Sequence, residues 1–280
     1  MSGTLYLVPT PIGNLGDISS RAAEILSAVD FIAAEDPRVT LKLLNHLNIK
    51  KPMTAYHRHN CAAAGPSILR RLEGGETCAL VTDAGTPGIS DPGEDLVVLC
   101  AAAGVRVEAV PGPCALTAAL SVSALPTARF TFEGFLPMNK KNRKARLDAL
   151  AGEERTMIFY EAPHKLRATL DDLAAVFGPD RPVAVCRELT KLHEEVLRTT
   201  LGEAAARYAG QEPRGEFVLV TAGRPSRAKE GDEDAALARA EELRRAGLPL
   251  KAAAAQAAEE FGVKKRSLYN RALQGGDPAF

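Results

Sequence analysis

Residues Thr77–Gly93 have the sequence TCALVTDAGTPGISDPG. The first six, Thr77–Thr82, form an apolar run typical of a β-strand, and Asp83–Gly88 contains too much glycine and proline to continue it. Glycines let the main chain approach a ligand closely, and proline fixes its path. Glu94–Ala103 then has a helical pattern. The stretch therefore predicts a strand, a polar loop and a helix, the usual layout of a small-molecule site at the carboxyl end of a sheet.

The loop lacks two well-known phosphate-binding signatures. No G-x-x-x-x-G-K-[ST] sequence is present, which argues against a nucleotide triphosphate P-loop. No G-x-G-x-x-G follows a predicted strand, which argues against a Rossmann dinucleotide site or a Rossmann-type methyltransferase. A ligand at this loop must be held in another way. The alternative is an ordinary strand-to-helix connection in which glycine and proline are only turn residues.

The composition is that of a globular protein. The chain has 280 residues, enough for two ordinary domains, of which 46% are hydrophobic and 25% charged. No apolar run approaches the roughly 18 residues of a membrane span. The first residues, MSGTLYLVPTP, lack the charged start and long apolar centre of a signal peptide. We therefore expect a soluble, cytoplasmic protein with no membrane partner.

The cysteines and histidines do not predict a metal site. The five cysteines are scattered without a C-x-x-C pair, and Cys78, Cys100 and Cys186 lie inside apolar runs. This pattern favours reduced, mostly buried thiols over a disulfide or zinc framework. His57 and His59 in the YHRHN segment are two positions apart and would not share a helical face. They are better candidates for hydrogen bonds to a substrate, and we predict no metal.

The net charge is zero, with 35 basic and 35 acidic residues, but basic residues are concentrated in two acid-free segments. Such runs are often only solvated surface, whereas two of them on a neutral protein also suit contacts with a nucleic-acid backbone. The first basic patch consists of Lys140, Lys141, Arg143, Lys144 and Arg146, and the second of Lys264, Lys265, Arg266 and Arg271.

The order of predicted elements gives an α/β fold. In the first half, apolar runs such as Leu5–Val8 and Phe31–Ala34 each lead into a loop and then a helical pattern, about four times over. This repetition predicts a parallel or mostly parallel sheet. From Pro126 the alternation in TARFTFEGF favours an antiparallel or edge strand, and the remainder is strand-rich with one long helix.

The same features predict three parts. Residues 1–125 and 126–225 form two α/β domains, and 226–280 form a linker and a helical tail. Gly223–Asp234 (GRPSRAKEGDED) has little to bury, as expected of a linker. Two short helices around Gly262, the second starting with Lys-Lys-Arg, are typical of a helix-turn-helix. The alternative is a tail that supports a dimer or is merely solvated.

Eight segments, in this order, resemble the ribosomal RNA small subunit methyltransferase I family, which has the tetrapyrrole methylase fold. The resemblance spans residues 1 to about 225, and the tail resembles the helix-turn-helix appendage of many members. Eight ordered blocks are far more specific than any single motif. The segments are LYLVPTPIGNLGDISSRA, AAEDPRVTLKLL, YHRHN, LVTDAGTPGISDPG, VPGPCALTAAL, FEGFLP, FYEAPHKL and RELTKLHEEVLR.

The resemblance implies a two-domain α/β methyltransferase with S-adenosyl-L-methionine bound in the cleft between the domains. It implies methylation of the ribose 2′-hydroxyl of a cytidine in the decoding region of small-subunit ribosomal RNA. The expected partners are that RNA, or the assembled small subunit, and a second copy of the chain in a homodimer.

The resemblance also implies which residues contact the cofactor. Asp83 is expected near the methionine ammonium, a charge-assisted contact. Related tetrapyrrole methylases carry Gly-Asp-Pro in the central loop, where this chain has threonine at Thr86. Pro37 stands where threonine is expected after Glu-Asp, which puts a hydroxyl role there in doubt. The expected cofactor residues are Pro9, Asp83, Gly85, Thr86, Ile89, Cys114, Ala115, Tyr160, Ala162 and Glu216.

Methylation of a hydroxyl requires in-line positioning and removal of a proton, to which a positioned base typically contributes about 10²- to 10⁴-fold. Charged side chains at predicted strand ends are the candidates, and the sequence does not single out one of them. The candidate catalytic residues are Glu35, Asp36, His57, Glu188 and Lys191. The candidate RNA contacts are Arg21, Arg38, Asn60, Lys140, Lys141, Arg143, Lys144, Lys264, Lys265 and Arg266.

Two other functions remain open on the sequence. The same fold could methylate a small tetrapyrrole-like metabolite, which predicts a closed, neutral pocket and no need for the basic patches. Alternatively, the chain could be a noncatalytic RNA-binding factor in ribosome assembly, which predicts RNA binding that is independent of the cofactor.

Overall fold

The computed structural model describes residues 2–210, 212–225 and 233–274. The chain divides into two compact units, Met1–Arg224 and Pro225–Phe280. Most of the predicted linker, residues 226–232, lies outside the described residues. The predicted division of the first unit near residue 126 stays a prediction, although the chain does pass from one sheet to another around that point.

The first sheet has five strands in the order β3-β2-β4-β1-β5, and every neighbouring pair is parallel. This confirms the parallel sheet predicted from the repeated strand-loop-helix pattern. Because the strands are parallel, the loops that follow them meet at one edge. The strands are β1 (Thr4–Leu7), β2 (Phe31–Ala34), β3 (Met53–Ala55), β4 (Cys78–Val81) and β5 (Arg106–Ala109).

Helices follow the strands of this sheet, and two of their starts differ from what the sequence predicts, which is a first helix capped by Asp17 and a short second helix over Lys42–Leu47. Asp17 ends a short 3-10 turn, and the Ser19 hydroxyl instead accepts the Ala22 N–H, so Asp17 does not cap the first helix. The second helix starts at Pro37 rather than Lys42, because Asp36 caps it and proline suits a first helical position. The helices are α1 (Ser20–Ala28), α2 (Pro37–His46), α3 (Cys61–Glu73), α4 (Glu94–Ala102) and α5 (Ala115–Val122).

The second sheet has the order β6-β7-β10-β8-β9. β6 is an edge strand, as the alternating sequence predicts, and it pairs parallel to β7, whereas the other pairs are antiparallel. The register of β6 shifts between Phe132 and Gly134. The strands are β6 (Phe130–Phe135), β7 (Thr156–Glu161), β8 (Pro182–Arg187), β9 (Glu195–Thr200) and β10 (Phe217–Thr221).

Three helices accompany the second sheet, not the single long one that was predicted: α6 (Lys140–Leu150), α7 (Leu166–Phe177) and α8 (Leu201–Tyr208). α6 carries the first basic patch and has few apolar residues. It is held by the Asn139 cap and by burial of Leu147 and Leu150. α8 starts with a capping box between Thr200 and Glu203.

α5 connects the two halves of the first unit. Its residues Leu116, Ala119 and Leu120 are buried in one apolar cluster with Ile158 of β7 and Val218 of β10. The last helix of the first sheet's segment therefore packs against the second sheet, and its N-terminus lies where the two sheets approach each other.

The second unit consists of helices α9 (Glu233–Arg245), α10 (Leu250–Phe261) and α11 (Lys265–Gln274). Its core is rich in alanine, including Ala240 and Ala257, with Leu243 and Leu268. Gly262 has a positive φ of 65°, which suits the predicted turn after α10. No described helix in either unit is long and apolar enough to span a membrane.

Candidate active site

Three loops at the carboxyl edge of the first sheet are joined by hydrogen bonds. Thr10 and Gly85 exchange main-chain N–H···O bonds of 2.9 and 3.0 Å. The Thr10 hydroxyl donates to the Thr82 carbonyl at 3.0 Å, and the Thr86 hydroxyl donates to the Pro113 carbonyl at 2.9 Å. The loops after β1, β4 and β5 therefore form one connected surface.

Tyr160 of β7 joins this surface to the second sheet. Its hydroxyl accepts the Leu116 N–H at 3.0 Å, in the first turn of α5, where no intrahelical acceptor exists. The Tyr160 ring makes edge contacts with Phe132 and Phe135 of β6, at centroid distances of 4.9 and 5.7 Å. Burial raises the pKa of the Tyr160 hydroxyl, which stays protonated.

A cavity of about 320 Å³, the main cavity, lies between these loops and the second sheet. Its wall is mostly apolar and includes Ile12 and Phe135, with the carboxylates of Asp91 and Glu216. The structure brings together all the predicted cofactor residues except Pro9 and Asp83. Those that line the main cavity are Gly85, Thr86, Ile89, Cys114, Ala115, Tyr160, Ala162 and Glu216.

Pro9 and Asp83 lie nearby but do not line the main cavity. Pro9 packs against Gly112, where an added Cβ would be 2.9 Å from the Pro9 Cβ. The Asp83 carboxylate accepts the Asp36 N–H at 3.1 Å, and burial raises its pKa. Asp83 is thus placed to hold the loops after β2 and β4 together, which differs from the predicted cofactor contact.

Glu35 and Asp36 are at the end of β2, as predicted, but in different settings. The Glu35 carboxylate accepts the Asp83 N–H at 3.3 Å, and burial raises its pKa. Asp36 caps α2 and pairs with Arg38, and these bonds lower its pKa to about 2. A carboxylate with such a low pKa is a poor proton acceptor, which argues against Asp36 as the base.

A second cleft, of about 170 Å³, lies beside α4 and is lined by residues 56, 58, 61 and 91–95. His57 does not line it, and its buried Nδ1 has no hydrogen-bond partner among the described residues. The Asn60 side chain accepts the His57 N–H and donates to the Ala55 carbonyl. Asn60 therefore fixes the loop after β3, a role that already uses its polar atoms.

Glu188 and Lys191 form a network beside the main cavity. The Lys191 ammonium donates to Glu188 and to Glu216, both at 2.9 Å. Burial opposes the lysine charge, but these two bonds outweigh it and raise the Lys191 pKa. The Lys191 hydrogen bond lowers the pKa of Glu188. An ammonium held protonated in this way cannot accept a proton at neutral pH, so Lys191 is placed to orient Glu216 rather than to act as a base.

Asp91 is a residue of the site that is absent from the predicted catalytic and cofactor-binding residues. It follows the central loop, lines the main cavity, and also lines the second cleft. Burial raises its pKa to about 6, and the charges of Glu35 and Asp83 act in the same direction. In the sequence, Asp91 is one of the polar side chains beside the glycine-rich loop, but Asp91-Pro92-Gly93 also has the pattern of a turn, so the pattern alone assigns it no catalytic or cofactor role.

Apart from Asn60, the predicted RNA contacts fall into two groups. Several already have a partner: Arg143 donates to Asp172 and Thr169, Lys144 pairs with Asp148, and Arg21 and Arg38 lie beside Glu108 and Asp36. The others are exposed and form no ion pair within the described parts of the chain. They are Lys140, Lys141, Lys264, Lys265 and Arg266.

The cysteines and the acidic residues give no sign of a metal centre. All five cysteines are free, and Cys78, Cys100 and Cys186 are buried, in agreement with the predicted thiols. Over residues 2–210, 212–225 and 233–274, no group of three or more His, Cys, Asp or Glu side chains is arranged to hold a metal ion.

Two family models match the chain in sequence. Residues 4–205 match the Tetrapyrrole (Corrin/Porphyrin) Methylases, and residues 230–276 match the RsmI C-terminal HTH domain. The first model covers the first sheet, four strands of the second sheet and most of the residues that line the main cavity. The second model covers the three helices of the second unit. The two matches together agree with the predicted α/β fold and its helix-turn-helix appendage.

Solved structures share the fold at low sequence identity. The uroporphyrin-III C-methyltransferase from Thermus thermophilus, complexed with S-adenosyl homocysteine, is 18% identical with a TM-score of 0.57, over 79% of this chain and 97% of that one. A cobalt precorrin-4 methyltransferase of cobalamin biosynthesis is 19% identical with a TM-score of 0.57, over 78% and 94%. These likenesses establish the fold.

Curated relatives are much more similar. The ribosomal RNA small subunit methyltransferase I of Synechocystis sp. is 49% identical over 277 residues, 97% of this chain and 98% of the relative. The protein of the same name from Escherichia coli O157:H7 is also 49% identical, over 274 residues, 97% of this chain and 95% of the relative. The chain therefore belongs to the ribosomal RNA small subunit methyltransferase I family and has the tetrapyrrole methylase fold.

Proposed function

We propose that this protein transfers a methyl group from S-adenosyl-L-methionine to the ribose 2′-hydroxyl of a cytidine in the decoding region of small-subunit ribosomal RNA. The observation that carries the proposal is the 49% identity to ribosomal RNA small subunit methyltransferase I over nearly the whole chain. The coarser activity, methylation of small-subunit ribosomal RNA, follows from the family. The cytidine and its 2′-oxygen follow from the resemblance of the eight sequence segments.

The cofactor is S-adenosyl-L-methionine, and the main cavity fits it. The volume of about 320 Å³ lies within the usual range of roughly 300–1,000 Å³ for ligand sites. Ile12, Ile89 and Tyr160 offer apolar and aromatic surface, while Glu216 places a carboxylate on the wall. A ligand with apolar parts, a sulfonium and an ammonium is complementary to such a wall.

Gly85 explains how the loop can approach the cofactor. Its φ of +87° is a conformation that favours glycine, and it lets the central loop turn along the cavity wall while pairing with Thr10. When bound, the cofactor supplies a methyl group that is already activated by the sulfonium. The protein therefore has to position the ribose hydroxyl in line with that methyl, exclude water and receive the hydroxyl proton.

The basic side chains without internal partners are the proposed RNA contacts. Lys140 and Lys141 are exposed at the start of α6, and Lys264, Lys265 and Arg266 are exposed at the start of α11. Contacts with phosphates would supply most of the affinity and make it dependent on salt. The target nucleoside must be unpaired to reach the cavity, as is usual for sequence-specific recognition of RNA.

Four further properties are part of the proposal on the strength of the family resemblance. The active protein is a homodimer, it works in the cytoplasm, and its first unit divides into functional lobes near residue 126. The substrate is either the naked RNA or the assembled small subunit. Sedimentation would test the dimer, since one chain has a mass of 29.7 kDa.

A transfer experiment tests the proposal against its alternatives. The purified protein is incubated with methyl-tritiated S-adenosyl-L-methionine and, in parallel, with naked small-subunit RNA and with small subunits from cells that lack this methylation. We expect label in the RNA of at least one substrate and none in fully methylated subunits. RNA binding without transfer would support an assembly factor. Cofactor binding with no transfer to either substrate would support methylation of a small metabolite.

A further inference from the structure

Asp91 is the one described residue that lines both the main cavity and the second cleft, so it lies where the two spaces meet. The main cavity is the proposed cofactor site. The second cleft is the space directly beside it, bounded by the loop after β3 and the start of α4. A side chain at this junction can contact a molecule in each space at once.

The Asp91 carboxylate has no hydrogen-bond partner among the residues that the structure describes. It is partly buried, yet it also forms no ion pair within the described parts of the chain. The neighbouring carboxylates differ, because Glu35 accepts the Asp83 N–H and Asp83 accepts the Asp36 N–H. A half-buried carboxylate without hydrogen bonds is unfavourable in a purely structural role. Its oxygens are free to accept a proton from a ligand.

The second cleft suits a nucleoside. Arg58 is exposed on its rim and forms no ion pair with any residue that the structure describes, so its guanidinium is available to a phosphate. Tyr56 is buried at its base, and Pro92 and Gly93 contribute main chain to the wall. The cleft thus combines this guanidinium, which has no ion pair among the described residues, with the carboxylates of Asp91, Glu94 and Asp95, which can accept hydrogen bonds from the hydroxyl and amino groups of a nucleoside.

We propose that the target nucleoside enters the second cleft and that Asp91 accepts the proton of its ribose 2′-hydroxyl during methyl transfer. This inference rests on the proposed function. An oxygen lone pair of the ribose forms the new bond to the methyl carbon, the sulfur–carbon bond breaks and its electron pair stays on sulfur, and the hydroxyl proton passes to the Asp91 carboxylate. No further reactant is required.

The groups that face Asp91 determine the pH at which it can work. Its pKa is raised to about 6, mainly by burial and also by the charges of Glu35 at the end of β2 and Asp83 after β4, against the opposing charge of Arg58 after β3. Below that pKa the carboxyl group carries a proton and cannot accept another. The transfer rate of the native protein is therefore expected to rise with pH up to about 6 and then to level off.

The test compares Asp91→Asn with Asp171→Asn, the same chemical change at an exposed position of α7 away from both cavities. Single-turnover methyl transfer to the RNA is measured from pH 5 to pH 8, in steps of about half a unit. Cofactor and RNA dissociation constants are measured by calorimetry and filter binding. We expect Asp91→Asn to slow transfer by about 10²- to 10⁴-fold, with either dissociation constant changed less than about threefold.

The outcomes separate the two proposals. If the native protein methylates no RNA, the proposed function fails. If it does, and Asp91→Asn reacts at the rate of Asp171→Asn, the inference fails alone. A loss that lies entirely in cofactor or RNA binding also overturns it, because Asp91 would then be a binding residue. If Asp91→Asn does not fold, the native pH profile decides: a rate independent of pH between about 5 and 7 contradicts a proton acceptor with this pKa.

Discussion

Removal of the Tyr160 hydroxyl tests how the two sheets are joined at the main cavity. Tyr160→Phe keeps the ring and its edge contacts with Phe132 and Phe135, at 4.9 and 5.7 Å. It removes the oxygen that accepts the Leu116 N–H at 3.0 Å. The substitution therefore isolates one hydrogen bond between β7 and the start of α5.

The expected cost follows from the position of that N–H. Leu116 is in the first helical turn, which offers its N–H no intrahelical acceptor, and its side chain is only 8% exposed. An ordinary hydrogen bond contributes about 1 kcal/mol, and a buried donor left unsatisfied costs about 1–3 kcal/mol. For a domain of this size, each kcal/mol corresponds to roughly 2–4 °C, so we expect the melting temperature to fall by roughly 2–12 °C.

Thermal melts followed by circular dichroism measure this effect, with Tyr208→Phe as the matched control. Tyr208 is also buried and makes an aromatic contact, with Phe217 at 5.9 Å, but its hydroxyl has no hydrogen bond to any described residue. Cofactor affinity should fall only in Tyr160→Phe, because Cys114 and Ala115 at the start of α5 line the main cavity. Equal melting temperatures for the two variants would refute the proposed role of the hydroxyl.

Three further predictions concern the loop and the basic patches. Gly85→Ala should weaken cofactor binding measured by calorimetry, because the φ of +87° strains any other residue by roughly 1–2 kcal/mol; an unchanged dissociation constant would contradict this. Arg143→Gln should lower the free energy of unfolding of the first unit by about 1–3 kcal/mol in urea titrations, since the charged hydrogen bonds of Arg143 are lost. Unchanged stability would show that these bonds do not stabilise the fold and would favour a contact of Arg143 with RNA. Replacing Lys264, Lys265 and Arg266 together by glutamine should reduce the slope of the logarithm of the RNA-binding constant against the logarithm of the salt concentration by up to about 3 units, without changing cofactor affinity. An unchanged slope would show that the start of α11 does not contact the RNA.

Much of the fold could be predicted because local sequence and tertiary structure agree. β2 has the predicted bounds, Phe31–Ala34, since its apolar run is followed by clear turn residues. α6 was missed because its sequence, KKNRKARLDAL, has few apolar residues and its stability comes from the Asn139 cap and two leucines. The start of α2 was missed although Asp36-Pro37 is a standard capping signal.

The site was predicted less completely, because proximity depends on the fold. Glycine-rich loops at strand ends identify most of the main cavity, but the sequence cannot show that Asp83 faces Asp36 while Asp91 faces the cavity. The second cleft combines residues around position 58 with residues 91–95, which only the parallel sheet brings together. The pairing of Lys191 with two glutamates likewise joins segments that are distant in the chain.

The position of the transferred methyl group tests the central claim most directly. RNA labelled by the native protein is hydrolysed in alkali, which needs a free ribose 2′-hydroxyl for each cleavage, and the products are separated by chromatography. Methylation of a cytidine 2′-oxygen predicts that all label elutes in a single alkali-resistant dinucleotide that begins with cytidine. Label in mononucleotides would show that a base is methylated, and would contradict ribose methylation by this protein.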